Sequence, residues 1–195
     1  MNFLARPFGL LLSLLGVVFV AATVHLVSIL VMPEVAPHGA YARLSALAKP
    51  GQMTLLPTAL PGHEITPFED PALAQAVCFY NLANGPLHIH ADIEDPGLLT
   101  LSFRTRDGRV FYSMTDQAAL HGNIEVRIMT EPQLEAVEES DEDDENEPLQ
   151  ELRLVAPDMK GFVLVNALAA FPSERAEAET RAISISCSTE TMARN

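Results

Sequence analysis

The chain has 195 residues, of which 48% are hydrophobic, yet it carries 26 acidic against 12 basic side chains and a formal charge of −14. That length fits one anchor plus one domain. The acidic balance, with no basic patch, aromatic nucleic-acid motif or zinc-finger spacing, excludes nucleic acid as a partner.

The apolar excess is local. Residues 8 to 32, FGLLLSLLGVVFVAATVHLVSILVM, carry no formal charge, and as a helix they rise ~37 Å, enough to cross a hydrocarbon core of ~30 Å. Pro33 ends the run. Val20-Ala21-Ala22 resembles a cleavage site, but the run outlasts a signal-peptide core of ~7–15 residues, so residues 1–33 read as an uncleaved transmembrane anchor in the lipid bilayer. Flanking basic charges nearly balance, with Arg6 before the span and Arg43 and Lys49 after it. The short N-terminal tail and long C-terminal domain favour an inside N-terminus and a domain outside the cytoplasm, in a bacterium the periplasm.

Residues 34–67 read as a juxtamembrane helix, with Tyr41, Leu44, Leu47 and Ala48 on one face, followed by an extended linker punctuated by proline and glycine. A β-rich domain is expected over 68–195. DPALAQAV (70–77) predicts a short helix capped by Asp70, with Pro71 at its first position. Two-residue periodicity then predicts strands over 76–82, 86–93, 98–105, 109–114 and 123–130, with Asp107-Gly108 making a tight hairpin. EPQLEAVEE predicts a helical turn. The stretch 135–148 holds nine acidic residues and reads as a solvated acidic loop without the spacing of an EF-hand. Two further strands follow in ELRLVAP and GFVLVNALA, and then a helix opened by Pro172 and Ser173. The fold class expected is α+β: an N-terminal transmembrane helix, then a mainly antiparallel β-sandwich-like domain with peripheral helices.

Chemistry-bearing residues are few. His88 and His90 point to one face of a strand, Asp92 continues that face, and His63 or His121 could arrive from a loop. Together they form the one candidate divalent-metal site, and with it a metal-dependent hydrolase is the alternative function. The plainer reading is the polar half of a half-buried strand whose other face is Ile89, Ala91 and Ile93. No nucleophile elbow or phosphate loop exists, so no catalytic residue and no cofactor is assigned. Cys78 and Cys187 are the only cysteines. Outside the cytoplasm they are expected to form a disulfide; otherwise they are two buried thiols. In the anchor, Ala21, His25 and Ser28 share one helical stripe, and Gly9, Ser13 and Gly16 another, as in packed transmembrane helices.

The segments 68–89, 98–119 and 152–169, with the anchor, resemble the small membrane-anchored bacterial proteins related to the domain-of-unknown-function family numbered twelve fifty-four. The strand–hairpin–strand SFRTRDGRVFYSMTD is the most telling stretch. The resemblance implies a β-rich sandwich in the bacterial inner membrane. It also implies a companion envelope protein, because longer relatives fuse this domain to a second β-rich one. The acidic stretch departs from that pattern as an insertion, and GLLTL (97–101) lacks a usual aromatic. The family brings no catalytic residues. The expected function is therefore a non-catalytic interaction or structural component of the envelope.

Overall fold

A computed structural model of the chain describes residues 5–35, 39–60, 62, 65, 69–93, 97–141 and 151–190. It divides into two compact units, Met1–Pro37 and His38–Asn195. The first is helix α1, Ala5–Val35. Its stretch Gly9–Met32 has mean hydropathy 2.6, contains no buried residue, and is long and apolar enough to cross a membrane. Thr23 and Ser28 donate their hydroxyls to the carbonyls of Phe19 and Val24, four residues back, so neither needs an outside partner.

The second unit is α+β. Its elements in order are α2 (Ala40–Ser45), β1 (Thr54–Leu55), β2 (Leu73–Asn81), β3 (Leu87–Asp92), β4 (Leu99–Thr105), β5 (Val110–Thr115), β6 (Asn123–Met129), α3 (Glu131–Asp141), β7 (Leu152–Val155), β8 (Lys160–Leu168), α4 (Arg175–Ser184) and β9 (Ser186–Thr189). Five strands form sheet A in the order β1-β2-β8-β4-β5, and four form sheet B in the order β7-β6-β3-β9. All neighbours are antiparallel except β6 and β7.

Strand alternation builds one core from both sheets. Ala74, Ala76, Cys78 and Tyr80 of β2, Leu101 and Phe103 of β4, and Val163, Val165 and Ala167 of β8 join Leu87, Ile89 and Ala91 of β3 and Ile124, Val126 and Ile128 of β6. Ala178 and Ala182 of α4 complete it, and their small size lets that helix lie close to β2 and β8. Gly161 shows how tight the packing is: a Cβ there would overlap the Arg104 carbonyl and the Tyr80 ring. Tyr80 donates its hydroxyl to that carbonyl at 3.2 Å, and burial raises its pKa far above the ordinary phenol value.

The other face of sheet A carries a smaller cluster. Val77 and Phe79 of β2 and Phe162 of β8 pack with Leu44 of α2 and Leu56, and Tyr41 meets Phe79 edge-on at 5.0 Å. Residues expected as juxtamembrane helix and linker thus contribute a helix, a strand and two core side chains to the β-rich unit.

Two expectations are corrected. Residues 73–77 are strand, not helix. Asp70 Oδ1 accepts from Ala72 N at 2.8 Å and Asp70 O accepts from Leu73 N, so the Asp-Pro pair closes a turn instead of capping a helix. Beyond that turn Ala74, Ala76 and Cys78 enter one core while Val77 and Phe79 enter the other, the pattern of a strand covered on both faces. The acidic stretch is not all loop, because α3 runs on to Asp141. Its remainder, 142–148, lies outside the described residues. Asp107-Gly108 does turn the β4–β5 hairpin, with Gly108 at φ 88°. The Thr105 hydroxyl on the Asp107 carboxylate is the main reason that group stays ionised below its ordinary pKa.

Candidate functional site

The face of sheet B turned away from the core carries the only candidate site that the histidines suggest. A 3-10 turn, Leu82–Asn84, ends at Gly85, whose φ of 128° suits a residue without a Cβ, and Pro86 then leads into β3. Because Leu87, Ile89 and Ala91 are buried, His88, His90 and Asp92 face outward, as the alternation predicts.

Strand register decides their partners. His90 lies opposite Glu125 of β6 and His88 opposite Arg127. Glu125 reaches both imidazoles. Its Oε1 is 2.5 Å from His90 Nδ1, and its Oε2 approaches His88 Nε2 at 2.8 Å as an ion-pair contact. The remaining ring nitrogen of His90, Nε2, lies 3.4 Å from Asp92 Oδ2. The hydrogen bond to Glu125 raises the His90 pKa, with its charge and that of Asp92 adding to the shift and partial burial opposing it.

The same face continues in charge pairs. Arg127 contacts Glu151 at 3.1 Å and Glu190 at 3.5 Å, and Arg153 reaches Glu151 at 3.4 Å. Ser186 of β9 donates to the His90 carbonyl at 3.3 Å and ties the edge strand to the histidine strand.

This arrangement holds protons and ion pairs. Asp92 does not converge with His88 and His90 on a common point; it and Glu125 occupy opposite nitrogens of one ring. Among the described residues no group of three or more His, Cys, Asp or Glu side chains could hold a metal ion. His121 sits in the turn between Leu120 and Asn123 with φ 53°, and His63 lies outside the described residues. Glu125 is the functional partner that the sequence reading missed. Its outward position was readable from the alternation of β6, but the pairing of β6 with β3 was not.

The cysteines meet across the fold. Cys78 is on β2 in sheet A, and Cys187 is on β9 in sheet B, opposite Ile89. Their sulfurs lie at bonding distance with Cα atoms 6.6 Å apart, bridging the two sheets.

No family model and no curated protein matches the chain. Solved structures do resemble it. The VPA0106 protein from Vibrio parahaemolyticus is similar over 80% of this chain and 38% of its own, at 9% identity and a TM-score of 0.51. An uncharacterized protein from Burkholderia cenocepacia is similar over 71% of this chain and 34% of its own, at 14% identity and a TM-score of 0.41. The chain therefore spans well under half the length of these proteins. The first likeness concerns the fold alone.

Proposed function

We propose that the chain is a single-pass protein of the bacterial inner membrane, with its N-terminus in the cytoplasm and a β-sandwich domain in the periplasm. Its role is that of a non-catalytic interaction or structural component of the envelope. The observation that carries this reading is a pairing: an apolar helix of membrane-spanning length precedes a domain whose two cysteines are held at disulfide distance. Disulfides persist in oxidising compartments and are rare in the cytosol. Two sheets that share one core support the sandwich that the family resemblance implies.

A companion envelope protein fits the same reading. The similar solved structures are more than twice as long as this chain, and the resembling family fuses its domain to a second β-rich one. The small-residue stripe of α1, with Gly9, Ser13 and Gly16, is the contact proposed within the membrane, where close backbone approach supplies dispersion that lipid does not.

One experiment tests placement and partner together. A reporter active only in the periplasm is fused after Asn195, and the same cells are crosslinked before lysis. Reporter activity in the membrane fraction, with a crosslinked companion that Gly16→Leu diminishes, is the expected result. Activity of a cytoplasm-only reporter at the same point refutes the placement, and an unchanged crosslink in Gly16→Leu refutes the contact.

A further inference from the structure

The four edges of the two sheets are unequal. β1 has two residues, β7 and β9 have four each, and β5 has six. Among the described residues β5 pairs only with β4, so its outer backbone groups are open along Val110–Thr115. The strand reads VFYSMT, with no charge and no proline, and Val110 and Tyr112 remain 44% and 38% exposed. Natural edges are usually blunted by a lysine, a proline, a bulge or a cover; β5 has the bulge, at Phe111, but neither lysine nor proline.

We infer that β5 pairs antiparallel with β5 of a second copy of this chain, joining two A sheets into one. An antiparallel pair of identical strands has its two-fold axis perpendicular to the sheet, so facing residues must share a face and hence a parity. Centring the axis on Ser113 satisfies this and sets Tyr112 beside Met114 of the copy. Phe111 is the extra residue of the bulge that lies between Phe103 and Arg104 of β4. Stepping over it brings Val110 opposite Thr115 of the copy and Arg109 opposite its Asp116.

That register is complementary at every position. Tyr112 already packs against Phe103, the ring centroids 5.9 Å apart and the planes tilted by 50°, and Met114 of the copy extends this apolar row. Just beyond the strand ends lie opposite charges, Arg109 in the hairpin turn and Asp116 in the following 3-10 turn, and the symmetry brings the two near each other twice. No like charges face each other along the strand, despite the net charge of −14. An unrelated strand would have to reproduce the whole pattern, which is why a second copy is the occupant. A six-residue seam is small, in the class of weak and transient interfaces. Confinement in a membrane raises its occupancy, a point that rests on the placement proposed above.

The test uses the full-length chain, oxidised in cells before lysis. Residues facing each other across such an axis have Cβ atoms ~4.5–5.5 Å apart, within disulfide reach after small adjustment. Ser113→Cys is expected to give a disulfide-linked dimer several-fold stronger than wild type and than Arg106→Cys, an exposed control in the hairpin turn. Adding Arg109→Glu, which is on the surface and sets two acids against each other, should reduce that dimer several-fold at unchanged melting temperature. A Ser113→Cys band no stronger than the controls, a band indifferent to Arg109→Glu, or a link to a protein of different mass overturns the inference. The fraction in which the chain is recovered reports membrane placement separately.

Discussion

Reducing the Cys78–Cys187 bridge should remove much of the stability of the β-rich unit. The two cysteines are 109 residues apart in sequence, and closing a loop of that size restricts the unfolded chain by about 5 kcal/mol in the chain-entropy treatment. Whole domains are stable by only about 5–15 kcal/mol, so the loss is a large fraction of the total. The native state loses a tether as well. β9 is held to β3 at four register positions, Leu87–His90 against Ser186–Thr189, and among the described residues no strand pairs on its other side. Urea unfolding of the full-length protein in mild detergent, with and without reductant, measures the effect. With a slope of about 2 kcal/mol/M the midpoint should fall by about 2.5 M, and the slope should rise because the uncrosslinked chain exposes more surface. A midpoint change below about 0.5 M would refute the reasoning. So would thiol labelling of both cysteines in denatured, unreduced protein.

The pair formed by His90 and Glu125 should make stability depend on pH. The folded pKa of His90 is raised above 6.5, so its stabilisation is fully present below that value and is lost as pH rises through the folded pKa. Glu125→Gln should bring the histidine titration, followed by NMR, back toward its ordinary range and flatten the melting temperature over that window; an unmoved titration would show that Glu125 is not the cause. Gly161→Ala should destabilise by about 1–3 kcal/mol or more, because the new methyl overlaps the Arg104 carbonyl and the Tyr80 ring. A thermal melt indistinguishable from wild type would mean that β4 and β8 are less tightly apposed than described.

Local signals made part of the fold legible. Ile124, Val126 and Ile128 alternate with Glu125 and Arg127, and that period alone placed β6 and its buried face. Asp107-Gly108 placed the hairpin because a tight turn needs a residue that tolerates positive φ. The misreading of residues 70–77 has a physical origin. Asp-Pro opens helices and turns alike, and Ala72-Leu73-Ala74-Gln75-Ala76 is made of strong helix formers, whose propensity the pairing with β8 overrides. The candidate site was half legible for a similar reason. Alternation put His88 and His90 side by side, but their shared carboxylate comes from β6, more than thirty residues away, and only strand order and register bring it there. Cys78 and Cys187 were the sole possible pair, yet nothing local told that they link different sheets.

Strand β8 has a consequence for how the protein is made. It lies between β2 and β4 in sheet A and pairs with β2 along its whole length and with β4 over Gly161–Ala167, so that Leu73 meets Leu168 and Phe103 meets Val163. Both partners leave the ribosome long before it does. Until Lys160–Leu168 emerges, two strands rich in apolar residues have no central neighbour, and such non-local pairing is intrinsically slow and exposed to aggregation. A nascent chain of this protein must therefore be kept apart from its neighbours until Leu168 has emerged. Any premature stop before Lys160 leaves sheet A in two pieces with nothing to join them.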